Sequence, residues 1–132
     1  MDTAPLVTRL CDRLPNLLAI YAFGSRVTGG ATPESDLDLA VLVEGRADPL
    51  VLWRTASELE SLAGCVVDLV DLRAVPTTLQ YRIITTGERL WTRDATRTGL
   101  FACYVLSAKT ELDEVRAPLL ERIAQEGRIH AG

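Results

Sequence analysis

Histidine is almost missing from this 132-residue chain: His130 is the only one, and it falls in what reads as a frayed tail. This argues against His-centred triads and His-rich metal sites, and leaves any acid–base work to carboxylates. Cysteine is scarce as well. Cys11, Cys65 and Cys103 are odd in number and widely spaced, which argues against a disulfide framework or a zinc knuckle and reads as three small buried hydrophobes. Of fourteen basic residues only Lys109 is a lysine, leaving thirteen arginines. Their planar forks suit phosphates and carboxylates, but a compositional bias explains the count without a function. No run approaches the roughly eighteen apolar residues of a membrane span, and the N-terminus lacks a basic region followed by an apolar signal core. A cytoplasmic protein with no membrane partner is expected. Excess positive charge is lacking too: 14 basic against 18 acidic residues give −4, so no direct nucleic-acid binding is expected. Repeats, low-complexity tracts and flexible linkers are absent, and 48% hydrophobic content over 132 residues suits one domain with one core.

The informative pattern is Gly24-Ser25 followed, ten residues later, by Asp36-Leu37-Asp38 inside an apolar run. Tyr21-Ala22-Phe23 ends a short apolar strand in a residue without a Cβ and then a hydroxyl that can cap a helix. A helix N-terminus offers unpaired N–H groups and a positive dipole end to an anion. In Asp36 to Val43 side chains alternate faces if the segment is a strand, so Asp36 and Asp38 point the same way. Two unpaired carboxylates on a largely apolar strand are unfavourable, and a divalent cation removes that penalty. Mg²⁺ takes one or two carboxylates together with substrate phosphates, so the pattern points to a metal–nucleoside triphosphate site. A P-loop is excluded. Gly24 and Gly29 have its four-residue gap, but Gly30 and Ala31 stand where Lys and Ser/Thr are required.

Periodicity organises the rest. Leu6, Leu10 and Leu14 mark an amphipathic helix over Pro5 to Leu14, which Pro15-Asn16 ends. Leu17 to Phe23 reads as a strand, then the glycine turn, a brief helical turn and a Gly29-Gly30-Ala31-Thr32-Pro33 loop. After the Asp36 to Val43 strand and a Gly45 to Asp48 break, Leu52, Ala56, Leu59 and Ala63 mark one face of a helix that Gly64 stops. Cys65 to Leu72 reads as a third strand. Asp68 and Asp71 have opposite parity there, so only one can share a face with the first pair. Asp68 is chosen because it lies mid-strand, while Asp71 at the strand end can cap a turn. A helix over Thr77 to Thr86 with a stop at Gly87 and an edge strand over Glu88 to Thr92 follow. From Ala95 onward, Leu100, Tyr104, Ala108, Leu112, Val115, Leu119 and Ile123 form a helical stripe read as a core-docking face, with a kink or restart near Ala117 caused by Pro118.

Gly24-Ser25, Asp36 and Asp38 match the G-S-x10-D-x-D signature of the DNA polymerase β-like nucleotidyltransferase superfamily, and the short chain resembles its minimal nucleotidyltransferase (MNT) domains, similar to the antitoxin partners of HEPN-domain toxins. The resemblance implies an α+β fold, a small central mixed β-sheet flanked by helices, with a nucleotidyltransferase core over residues 1–93 and a C-terminal helical extension, residues 94–132, packed on the same domain. It implies catalytic and metal roles for Asp36, Asp38 and Asp68, the last as the third carboxylate from a later strand, and a pair of Mg²⁺ ions with ATP as substrate. Two such ions roughly 3.5–4 Å apart stabilise the entering and leaving oxygens of an in-line displacement. Gly24 and Ser25 would position the β- and γ-phosphates, Arg26 and, with less weight, Arg82 being further phosphate contacts. The implied reaction is transfer of AMP to a tyrosine of a HEPN-domain RNase toxin, in a hetero-oligomer. The rivals are an aminoglycoside-type small-molecule nucleotidyltransferase and a non-catalytic antitoxin that acts by occlusion.

Overall fold

The computed structural model describes residues 1–30, 32 and 35–125 in full and the backbone of 126–131. Its elements in chain order are α1 (Ala4–Arg13), β1 (Leu17–Phe23), α2 (Ser25–Thr28), β2 (Leu37–Val43), α3 (Pro49–Ala63), β3 (Val67–Asp71), α4 (Thr77–Thr86), β4 (Glu88–Thr92) and α5 (Ala95–Ala131). The four strands form one mixed sheet in the order β3-β2-β1-β4. β1 runs antiparallel to β2 and β4, and β2 runs parallel to β3.

Helices cover both faces of the sheet, which is why β1 and β2 are apolar nearly throughout. Leu39, Val41 and Val43 of β2 join Leu6 and Leu10 of α1 and Leu52 and Leu59 of α3 on one face. Ala40 and Leu42 join Ile83 of α4 and Phe101 and Val105 of α5 on the other. Local signals fix the helix ends. Asp48 caps α3 by accepting the Leu50 N–H at 2.8 Å, Pro49 fills its first turn, and Gly64 closes it at φ 74°. Thr55 faces the core of α3 because its hydroxyl returns to the Val51 carbonyl at 2.7 Å; Ala56 and Ala63 are only partly buried.

The expected stripe on α5 is where sequence and structure part. Its core face is Thr98, Phe101 and Val105, while Leu100, Tyr104, Val115, Leu119 and Ile123 are exposed. The apolar period is real but marks another side of the helix from the one the sheet covers. α5 also continues through Pro118 without a restart. The bond that proline cannot make is lost where the neighbouring residues are exposed, so water can serve the freed carbonyl. Cys103 is exposed and not a buried hydrophobe; Cys11 and Cys65 are partly buried. Of the expected 29–33 loop, Ala31 and Pro33 lie outside the described residues, as does the side chain of His130; the backbone at His130 is helical. Among the described residues no helix is long and apolar enough to cross a membrane.

Candidate active site

The end of β1 and the starts of β2 and β3 meet at one end of the sheet. Phe23 is the register partner of Asp38 across the antiparallel pair, and Asp38 is the register partner of Asp68 across the parallel one. Asp38 shares its parity with Ala40 and Leu42, and Asp68 with Val70 and Leu72, so both carboxylates stand on the face that α4 and α5 cover further along. Asp36 lies just outside β2, which starts at Leu37, and is exposed; Asp68 is exposed and Asp38 partly buried.

Gly24 permits this arrangement. It adopts φ 77° and ψ −158° as the cap of α2, a conformation essentially confined to glycine. A Cβ built there would lie 2.2 Å from Asp38 Oδ2, so the bare backbone of the turn and the carboxylate occupy adjoining space. The Gly24 carbonyl accepts the Val27 and Thr28 N–H groups, both at 3.1 Å, and the Thr28 hydroxyl at 3.2 Å. Ser25 is the first residue of α2 and not its cap, and the cap position makes no side-chain bond. The first N–H groups of the turn have no intrahelical partner.

Burial, then the charge of Asp68, then that of Asp36, holds the Asp38 carboxyl above its ordinary range. None of the ion pairs found among the described residues involves these three acids. The donor set therefore suits a hard divalent cation: oxygen only, mutually repelling and without a cationic side chain paired to it. Among the described residues no three His, Cys, Asp or Glu side chains converge closely enough to cage an ion by themselves.

Arg26 bonds to the loop that leads into β2. Its Nε and Nη2 donate to the Ser35 carbonyl at 3.1 and 2.6 Å, and Ser35 in turn accepts the Thr32 N–H on its hydroxyl at 2.8 Å. The guanidinium thus clamps the residue that precedes Asp36. Nothing in the spacing of Arg26 and Ser35 signals this contact. Arg82 is exposed on α4. Asp71, the acid of opposite parity, is 7% exposed; its Oδ2 accepts the Ala47 N–H at 2.9 Å and its Oδ1 the Arg73 N–H at 3.0 Å. It secures the two loops at the far end of the sheet and stands on the opposite face from Asp38 and Asp68.

A glycine turn thus stands beside strand-borne acids at one end of a small mixed sheet. The chain belongs to the family described as Polymerase beta, Nucleotidyltransferase, whose model matches residues 7–96. It is 34% identical over 118 residues to the protein adenylyltransferase MntA of Shewanella oneidensis, a match that covers 89% of this chain and 84% of the relative. Among solved structures it resembles a toxin–antitoxin crystal structure with AMP-PNP, at TM-score 0.84 and 32% identity over 94% of this chain and 99% of that one. It also resembles the MNT antitoxin in complex with the tri-AMPylated HEPN toxin of Shewanella oneidensis, at TM-score 0.76 and 32% identity, covering 91% of this chain and 93% of that one.

Proposed function

We propose that this chain is an antitoxin that works as a protein adenylyltransferase: it transfers AMP from ATP to a tyrosine hydroxyl of a HEPN-domain toxin and so neutralises it. The observation that carries the reading is the row formed by the Gly24 turn at the end of β1, Asp38 on β2 and Asp68 on β3, in a chain similar over most of its length to a protein adenylyltransferase. The nucleotide is supported by the AMP-PNP of one related structure and the acceptor by the AMPylated toxin of another.

Each residue has a part. The Gly24 N–H, the Ser25 N–H and the Ser25 hydroxyl hold the β- and γ-phosphates. Asp36 and Asp38 are the residues that would hold Mg²⁺, with Asp68 completing a second ion site or taking the acceptor's proton. The ion, when bound, offsets the charge of the triphosphate and polarises the phosphoryl group. The tyrosine oxygen forms its bond to the α-phosphorus as the bond from that phosphorus to the bridging oxygen breaks. Pyrophosphate leaves with the electron pair, and the hydroxyl proton passes to Asp68 in the second of its two roles. A partner-binding role for α5 is supported by Val115, Leu119 and Ile123, which recur every four residues and are at least half exposed, an apolar stripe of the kind that marks protein contacts. We place the reaction in the cytoplasm, where ATP and a toxin of this kind meet.

The test is to incubate the chain with Mg²⁺, labelled ATP and a HEPN-domain toxin that it binds, next to an Asp36→Ala/Asp38→Ala variant, and to weigh the products. AMP on a partner tyrosine, absent with the variant, is the expected result. Neutralisation of the partner with no added mass would sink the enzymatic reading.

A further inference from the structure

The strand order sorts the reacting groups. The phosphate turn ends β1, Asp38 stands on β2, and Asp68 stands on β3, which among the described residues has no strand on its other side. An in-line displacement needs the attacking oxygen opposite the leaving pyrophosphate. With the phosphates on the β1 side of Asp38, the acceptor must come from the β3 side, over the open edge of the sheet.

That edge has a defined chemistry. The Leu37 N–H donates to the Val66 carbonyl and the Leu72 N–H to the Val41 carbonyl, each at 2.9 Å, so even-numbered residues of β3 bond to β2 and odd-numbered ones turn their backbone outward. Both ends of the edge are blunted. Glu60 Oε1 takes the Val67 N–H at 3.2 Å, and the Asp71 carbonyl takes the Ala74 N–H at 3.0 Å. Between these two ends Leu69 turns both its N–H and its C=O away from the sheet. Beside it runs a groove of about 730 Å³ whose walls include Leu52, Trp53, Ala56, Asp68, Leu69 and Val70. Trp53 is 69% exposed, a large side chain that α3 holds over the groove without burying it.

We infer that an extended segment of the protein acceptor adds to the β3 edge as an antiparallel strand, exchanging two hydrogen bonds with Leu69 and placing its tyrosine opposite Asp68. The inference rests on the proposed transfer of AMP to a protein. Register follows from the pleat. The acceptor residue opposite Leu69 points to the α3 face and enters the groove beside Trp53, and the next residue, opposite Asp68, points to the face of Asp38. The substrate motif is therefore a tyrosine with an apolar neighbour immediately beside it in sequence.

Two measurements test this. In a complex of the Asp38→Asn variant with the HEPN-domain protein, amide hydrogen exchange of the 67–71 segment should slow at least tenfold relative to the free variant. In the otherwise wild-type chain, Trp53→Arg should raise the KM for that partner at least tenfold with an unchanged melting temperature. Unaltered exchange together with an unaltered KM overturns the docking mode while leaving AMP transfer intact. Absence of any AMP transfer by the wild-type chain would instead overturn the proposed activity, and the exchange measurement would still decide whether the edge binds the partner.

Discussion

Asp38 Oδ2 lies 2.2 Å from the point where a Cβ on Gly24 would stand, so the phosphate turn and the first strand-borne acid are built against each other. Gly24→Ala would both force a backbone conformation reserved for glycine, costing about 1–3 kcal/mol, and push the carboxylate out of place. The expected outcome is a drop in melting temperature together with a loss of AMP transfer on the order of 10² or more, since misplacing a catalytic group by an ångström has that effect. Urea unfolding and single-turnover transfer by the folded fraction separate the two effects. A variant that is destabilised but transfers at the wild-type rate would show the close approach to be structural only.

Asp68 and Asp71, three residues apart on β3, should behave as opposites. Asp68 is exposed and is in no ion pair found among the described residues, so Asp68→Asn should alter stability by no more than about 0.5 kcal/mol and slow transfer by roughly 10²–10⁴, the range for a lost general base. Asp71→Ala leaves the Ala47 and Arg73 N–H groups without their acceptor and should cost roughly 1–3 kcal/mol, with transfer per folded molecule close to wild type. Denaturation curves and rates measured on the same preparations give both numbers. An inactive, stable Asp71→Ala would reverse the assignment.

Burial, Asp68 and Asp36, in that order, raise the Asp38 carboxyl above its ordinary value of 3.8. Folding therefore favours its protonated form. From 3.8 up to the raised value the native chain binds more protons than the unfolded chain, so this group's contribution to stability falls as pH rises through that window and the cost persists above it. Glu44 and Glu58 are lowered from 4.5, each first by a hydrogen bond from an arginine, Arg97 and Arg13 respectively; they act with the opposite sign and lose their contribution as pH falls. In EDTA, Asp38→Asn should accordingly be more stable than wild type at neutral pH, with the difference vanishing towards pH 3. A difference that grows towards acid would contradict the sign.

Much of this site was legible because its parts are local. Ten residues between Ser25 and Asp36 and the two-residue spacing of Asp36 and Asp38 can be read along the chain, and parity separates Asp68 from Asp71 without knowledge of the fold. The glycine stops at Gly64 and Gly87 bounded their helices for the same reason. What depends on distant partners was not legible. A 3.6-residue period shows that α5 has an apolar side, but Phe101 and Val105 meet the sheet on a side about one residue, roughly 100°, around from the Leu100 and Tyr104 stripe. The bond from Arg26 to the Ser35 carbonyl and the outermost position of β3 are likewise products of tertiary placement.

Arg26 separates two roles that the sequence cannot distinguish. As a clamp it needs the planar fork that reaches the Ser35 carbonyl with both Nε and Nη2, which a lysine cannot reproduce. As a phosphate contact it needs only charge, which a lysine supplies. The clamp predicts that Arg26→Lys and Arg26→Met lower kcat to a similar degree, on the order of tenfold, through a loosened segment ahead of Asp36, with little change in the KM for ATP. Steady-state kinetics of both variants decide the matter. Recovery of kcat and KM by Arg26→Lys alone would assign the side chain to the phosphates.

The exposed half of α5 offers a last separation, between what holds the fold and what holds the partner. Thr98, Phe101 and Val105 tie α5 to the sheet, whereas Val115, Leu119 and Ile123 are 75%, 55% and 55% exposed. Replacing those three with Asp removes apolar surface that the isolated chain does not bury, so the melting temperature should stay within a few degrees, as for surface changes generally. Complex formation with the HEPN-domain protein should weaken by 10² or more, because three charges would then have to be buried in an apolar contact. Size-exclusion chromatography and calorimetry on the triple variant measure this directly. Nucleotide binding by the variant serves as the internal check, because Gly24, Ser25, Asp36 and Asp38 all precede α5 in the chain and none lies on it. An undiminished complex would remove α5 from the interface and leave the edge of β3 to carry recognition alone.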